Sequence, residues 1–161
     1  MVQAILAAFF LVVVGSGLWS ITQEQGGAST SLPHSIASFN LLSSVSGDEA
    51  QAEIRQLHGR DLGLKRAWVA HYQGSATIWV GEAESPEEAT ALIGRMTSRI
   101  EAGNPTFSNL QSVQIDGQPY YSVTEGGHKH YYYLKGAKVI WIAPPAGKET
   151  DFLREARRLI S

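Results

Sequence analysis

Two histidines lie two positions apart in the segment His128-Lys129-His130, immediately before three tyrosines. On a β-strand such a pair points to one face, so the two imidazoles could ligate one metal ion. A metal site also needs a third ligand, and His71 on another strand-like segment is the best candidate. The alternative is a half-exposed strand, because aromatic and amphipathic side chains suit a pleated surface. We favour this alternative and expect neither a metal nor another cofactor.

Recognised catalytic motifs are missing from the sequence. The chain has no cysteine, no nucleophile elbow, no phosphate-binding loop and no zinc-protease helix motif. Two carboxylate pairs, Glu82 with Glu84 and Glu87 with Glu88, lie at a strand end and at a helix start, where capping and the helix dipole account for acidic residues. We therefore predict that the protein is not an enzyme. A hydrolase whose catalytic groups converge only in the fold remains an alternative.

Aromatic residues are concentrated in the segments predicted as strands. Helices on one face of a sheet can bury only about half of such side chains, since successive residues point to opposite faces. The other half would form an aromatic and polar surface of the kind found at protein interfaces. We select Trp79, Tyr131, Tyr132 and Tyr133 as candidate interaction residues. The alternative is that they are ordinary core residues of a small domain.

Strand and helix patterns alternate from Pro33 onward. The clearest start signal is Ser85-Pro86 with Glu88, a capping residue followed by proline at the first helical position. Glycine-containing turns separate the last strand-like segments, which indicates an antiparallel meander. We predict an α+β domain in which helices cover one face of a mostly antiparallel sheet of about six strands. The predicted strands span residues 65–73, 76–83, 110–115, 120–124, 128–134 and 137–143, and the predicted helices begin near residues 48, 85 and 150.

The N-terminal segment is apolar and carries no charged side chain before Glu24. Counted from Val2 to Thr22, it would form a helix of roughly 31 Å, the thickness of a bilayer core. We predict a single transmembrane helix over residues 1–22. Trp19 would lie at the headgroup boundary, and Gly15 and Gly17 could contact another helix. A cleaved signal peptide and a buried core helix are the alternatives.

Residues 23–33 are mostly small and polar, which predicts a flexible linker, and residues 34–161 form the α+β domain. The first basic residue after the apolar segment is Arg55, so the flanking chain is easy to translocate. We therefore expect the bulk of the chain on the periplasmic, extracytoplasmic side of the cell membrane. The net charge of −2 gives no basic footprint for nucleic acid.

This layout, one anchor followed by a small α+β domain, resembles two groups of proteins. These are exported domains of bacteria and small accessory subunits of respiratory and photosynthetic membrane complexes. The second resemblance implies a non-catalytic subunit that stabilises or helps assemble a larger complex, with integral membrane subunits and the lipid bilayer as partners. The alternative is a membrane-tethered module that binds a small ligand or a metal through the His128/His130 strand.

Overall fold

The computed structural model describes residues 32–160, which form an α+β domain with one antiparallel sheet. Three helices and eight strands are present in this range. The helices are α1 (Gly47–His58), α2 (Pro86–Glu101) and α3 (Glu149–Leu159). The strands are β1 (Ser35–Ile36), β2 (Phe39–Ser46), β3 (Arg66–Tyr72), β4 (Ala76–Glu82), β5 (Ser108–Ile115), β6 (Gln118–Glu125), β7 (His128–Lys135) and β8 (Lys138–Ala143).

The strands follow the spatial order β1-β2-β3-β4-β8-β7-β6-β5, and each neighbouring pair is antiparallel. The pairing of β4 with β8 at the centre joins the N-terminal half of the sheet to the C-terminal meander. Tight turns connect the meander strands. In the β5–β6 turn both Asp116 and Gly117 have positive φ, as a two-residue type I′ hairpin requires.

Local sequence signals account for the helix ends. The Ser85 hydroxyl accepts a hydrogen bond of 3.2 Å from the Glu88 amide, and Pro86 occupies the first turn of α2. Gly59 terminates α1 in the left-handed conformation, where a residue without Cβ meets no steric penalty. The predicted starts of α1 and α2 and the α+β class are confirmed.

The helices cover both faces of the sheet, so the expectation of helices on one face is wrong. α3 packs through Phe152, Leu153 and Ala156 against one face. α1 and α2 lie on the other face, where Ile54 and Leu92 are among the residues that contact the strands. Side chains alternate along each strand, so both faces present apolar residues, and each apolar face is stabilised by a helix that removes it from water.

The sheet also has eight strands instead of about six, because β1 and β2 lack a clear sequence pattern. All eight side chains of β2 are exposed or half-buried, and Leu42 is among the most exposed large apolar residues in the described part of the chain. β2 is stabilised by pairing with β3, which follows only after α1. Local periodicity therefore carries little information about this strand.

Within residues 32–160, no helix has the length and apolar character needed to cross a lipid bilayer. The predicted transmembrane segment 1–22, with Gly15, Gly17 and Trp19, lies outside the described residues, as does most of the predicted linker 23–33.

A candidate binding cleft between α1 and α2

The three consecutive tyrosines of β7 are buried core residues and form no exposed interaction surface. Tyr131 and Tyr133 lie under α3, where Tyr133 contacts the edge of Tyr120 with ring centroids 5.0 Å apart. Tyr132 points to the opposite face and packs under α2. Because helices cover both faces of the sheet, these three tyrosines pack as ordinary core residues of a small domain.

A row of aromatic rings crosses the α1/α2 face of the sheet from strand to strand. Tyr121, Tyr132, Trp141 and Trp79 are directly opposite one another on β6, β7, β8 and β4. Tyr132 stacks on Trp141 with centroids 4.8 Å apart and nearly parallel rings, and on Tyr121 at 5.0 Å. The Tyr132 hydroxyl is hydrogen-bonded to Thr97 Oγ1 of α2 at 3.0 Å, which fixes the middle of the row.

The row continues into a cleft of about 530 Å³ that separates α1 from α2. The sheet residues that line it are Trp79, Gly81, Glu125, His130, Val139 and Trp141. Both tryptophans are half-buried, so part of each indole remains exposed in the cleft. At Gly81 a Cβ atom would lie 3.0 Å from the side chain of Leu64, so the glycine lets this loop residue approach the sheet closely. The volume falls within the range of small-molecule sites.

The loop after α2 completes one end of the cleft. The Asn104 carboxamide oxygen accepts hydrogen bonds from the amides of Thr106 and Phe107 at 2.8 and 3.1 Å. This turn places the Phe107 ring against Trp141, with centroids 5.0 Å apart. The ring edge also meets His130, at 5.6 Å.

A hydrogen-bonded chain of three side chains lies beside the aromatic row. The Trp141 indole donates to His130 Nδ1 at 3.0 Å, and His130 Nε2 lies 3.3 Å from a carboxylate oxygen of Glu125. An indole N–H can only donate, so Nδ1 is the acceptor and the imidazole proton is on Nε2. Burial lowers the pKa of His130, with a smaller lowering from His128, although the Glu125 carboxylate acts in the opposite direction. The neutral tautomer therefore fits this environment.

Basic and apolar groups form the rim of the cleft. Arg60, Arg99 and His58 are exposed residues that line it from the C-terminal ends of α1 and α2. His58 Nδ1 donates a hydrogen bond of 2.8 Å to the Ile54 carbonyl oxygen. Leu57 on the same rim is 63% exposed. The site thus combines a flat aromatic floor with guanidinium groups at its mouth.

The histidines proposed as metal ligands are not assembled into one site. His71 lies on β3, where its Nδ1 is 3.1 Å from Thr77 Oγ1. Strands β4 and β8 lie between β3 and β7, so at ordinary strand spacing His71 is about 14 Å from the strand that carries His128 and His130. His128 is exposed at the start of β7. Among residues 32–160 no group of three or more potential ligands is close enough to hold a metal ion.

The four carboxylates noted in the sequence have structural roles. Glu82 forms an ion pair of 2.7 Å with Arg66, and Glu84 lies 3.3 Å from Lys65. Glu87 and Glu88 belong to the first turn of α2. They are not gathered around the cleft, whose lining carboxylate is Glu125.

The sequence analysis selected Trp79 and His130 but did not predict that they lie in one site. It did not select Trp141, Phe107, Glu125 or Arg99. The sequence does show that Trp79 and Trp141 each lie in a predicted strand. It does not show that these two strands pair at the centre of the sheet. Comparison of the chain with protein-family models, with curated proteins and with solved structures finds no match.

Proposed function

We propose that this protein is a non-catalytic, membrane-tethered binding module whose ligand occupies the cleft between α1 and α2. The observation that carries the proposal is the pair of half-buried tryptophans, Trp79 and Trp141, which are register partners on adjacent central strands and line a cleft of about 530 Å³. Partly exposed indoles in a concave site are unfavourable in water and favourable against a ligand ring.

The ligand class that fits best is a small, flat, apolar molecule that carries an acidic group. Its ring system would stack on Trp79 and Trp141, since offset-stacked rings attract one another beyond the area that they bury. Its acidic group would pair with Arg99 or Arg60 at the mouth, because a guanidinium binds a carboxylate through two parallel hydrogen bonds. His130 is already bonded to Trp141 and Glu125, so its role is to hold the Trp141 ring in place.

Calorimetric titration of the full chain in mild detergent with 2-naphthoate tests this proposal. We expect saturable binding to one site with a dissociation constant below about 1 mM. Trp79→Leu should weaken binding at least about tenfold, a loss of about 1.4 kcal/mol, through the missing ring contact. Trp68→Leu is the matched control, because Trp68 is also half-buried on a strand but packs on the α3 side.

The charge requirement is tested by a second matched pair. Arg99→Gln should weaken 2-naphthoate binding, while Arg95→Gln should not, since Arg95 is an exposed residue of α2 that does not line the cleft. Neutral 2-naphthalenemethanol should not distinguish the two variants. Absence of binding to the wild-type chain, or equal losses in both variants of either pair, would refute the proposal.

A second candidate is the accessory-subunit role in a larger membrane complex. It is favoured by two exposed apolar residues, Leu57 on the cleft rim at 63% exposure and Tyr121 at one end of the aromatic row at 36% exposure. In this account an apolar segment of an integral membrane partner covers the cleft, and residues 1–22 anchor the chain in the same bilayer. Tethering would raise the effective concentration, so that even a small interface is occupied.

Extraction of native membranes in mild detergent, followed by size separation and mass spectrometry, separates the two candidates. A large stoichiometric complex that loses this chain on Leu57→Asp substitution supports the accessory role. Migration of the chain by itself, with 2-naphthoate binding intact, supports the ligand-binding role.

A further inference from the structure

β5 forms one outer edge of the sheet, and its composition is unusual for an edge. Edge strands are normally protected from pairing with another chain by charged residues, proline, bulges or very short length. β5 has eight residues, of which none is charged and none is proline. Its register shift lies at the start, between Ser108 and Gln111, where Asn109 has positive φ. The run from Gln111 to Ile115 is therefore regular, and its outer side pairs with no other described strand.

The other edge of the sheet is protected in ways that β5 is not. β1 covers the first residues of β2 by pairing Ile36 with Phe39 and Ser35 with Asn40. A register shift interrupts β2 at its middle, between Leu41 and Ser43. Within residues 32–160, β5 therefore offers the longer uninterrupted edge.

The hairpin geometry fixes which amides of β5 point outward. The two-residue turn at Asp116-Gly117 makes Ile115 and Gln118 a hydrogen-bonded pair. Hydrogen-bonded and non-hydrogen-bonded pairs alternate in antiparallel sheets, so Val113 and Gln111 also bond to β6. The N–H and C=O groups of Leu110, Ser112 and Gln114 consequently point away from the sheet.

We propose that β5 pairs with β5 of a second copy of this chain, antiparallel and about a two-fold axis at Ser112. Ser112 then opposes Ser112 of the second copy, and Leu110 opposes Gln114 on either side. Each of these pairs exchanges two backbone hydrogen bonds, so every outward amide of the run has a partner. A register centred on Val113 would still pair Ser112 with Gln114, but it would place Leu110 opposite the turn residue Asp116, so that the outward groups of Leu110 would have no strand partner. The two sheets join into one continuous sheet.

The second copy is favoured over another occupant by charge and by geometry. The strand carries no charge, so bringing two copies together creates no like-charge pair along the shared edge. A two-fold axis perpendicular to the sheet keeps corresponding faces on the same side. Leu32, the first described residue, packs on the α3 side, so it lies on the same side of the joined sheet in both copies. This arrangement is compatible with two chains anchored in one membrane, as proposed above.

Cysteine cross-linking of the full chain tests the pairing, because the natural sequence contains no cysteine. Ser112→Cys places two thiols opposite each other at about 5.5 Å between Cα atoms, within the range that a disulfide spans. Gln114→Cys is the matched control on the same strand and face. Its two copies would be about 14 Å apart, too far for a disulfide. We expect mild oxidation to link Ser112→Cys at least about ten times faster than Gln114→Cys.

A second variant removes the pairing without disturbing the domain. Ser112→Pro deletes an outward amide that β6 does not use, and proline is tolerated where the N–H faces away from the sheet. Light scattering should give a dimer for the wild-type chain in detergent and a monomer for Ser112→Pro, with the same circular dichroism spectrum. A wild-type monomer at every concentration, or equal linking rates for the two cysteine variants, would overturn the proposal. Naphthoate binding is unaffected in either case.

Discussion

The indole of Trp141 donates a hydrogen bond of 3.0 Å to Nδ1 of His130, across two neighbouring strands of the sheet. The position of the Trp141 ring in the floor of the cleft therefore depends on the protonation state of His130. The imidazole keeps its proton on Nε2, beside Glu125, and must remain neutral for Nδ1 to accept from the indole. Protonation of Nδ1 would place two donors against each other.

The pH dependence of stability should reflect this constraint. Burial lowers the pKa of His130, so the unfolded chain takes up this proton at a higher pH than the folded chain does. The contribution of the neutral imidazole is complete above about pH 6.5 and is lost as the pH falls below that value. Urea unfolding at about pH 7.5 and about pH 5 should show a smaller decrease for His130→Gln than for the wild type. The exposed His34→Gln is the control, and an equal decrease in all three proteins would contradict the prediction.

Substitution of Tyr132 should destabilise the domain. The ring is fully buried between Tyr121 and Trp141, so Tyr132→Ala should lower the free energy of unfolding by about 3–5 kcal/mol. Tyr132→Phe removes only the hydrogen bond to Thr97 and should cost about 1 kcal/mol. Chemical denaturation checks both values. A fully stable Tyr132→Ala protein would mean that this tyrosine is not a core residue.

Alanine substitutions at two glycines distinguish the effect of backbone conformation on stability from the effect of packing. Both Gly74 and Gly136 have positive φ, but a Cβ at Gly74 would lie 2.9 Å from Phe39 and 3.2 Å from Pro145, while a Cβ at Gly136 meets no atom within 4 Å. Gly136→Ala should cost about 1–2 kcal/mol through conformation alone. Gly74→Ala should cost more, by about 1–3 kcal/mol, because the turn between β3 and β4 must also shift. Equal thermal midpoints for the two variants would contradict the packing argument.

Lys135 should be needed for the last turn of α3. Its ammonium group donates to the carbonyl oxygens of Arg157 and Ile160, at 3.0 and 2.6 Å, which the helix itself cannot satisfy. Lys135→Met keeps the aliphatic stem and should lower the free energy of unfolding by about 1.5–3 kcal/mol. Hydrogen exchange should locate the loss in the C-terminal part of α3. Unchanged protection there would show that the carbonyl groups find other partners.

Local signals predicted those parts of the fold that short segments determine. Ser85, Pro86 and Glu88 mark the start of α2, and Gly59 marks the end of α1, because caps are set by neighbouring residues. β2 was missed because its stability depends on β3, and the coverage of both sheet faces could not be read from the strands by themselves.

The candidate site depends on strand order, which periodicity does not contain. Trp79 and Trp141 meet only because β4 pairs with β8 at the centre of the sheet. His130 joins them because β7 is the next strand, whereas His71 is separated from it by two strands. The residue types suggested an aromatic surface and a histidine pair. The strand pairing and the helices place the three tyrosines of β7 in the core, and they place Trp79, Trp141 and His130 at the cleft.

The most direct test of the ligand-binding claim uses the small number of tryptophans. The chain contains four, so ¹⁵N-tryptophan labelling of the full protein gives one indole resonance for each, assignable by single substitutions. The indole N–H groups of Trp79 and Trp141 donate to Glu53 and His130, so both report directly on the cleft. On titration with 2-naphthoate, we predict saturable shifts of the Trp79 and Trp141 resonances and no shift of Trp68. No shift of either cleft tryptophan, or equal shifts of all resonances, would contradict the claim that the cleft binds a flat acidic ligand.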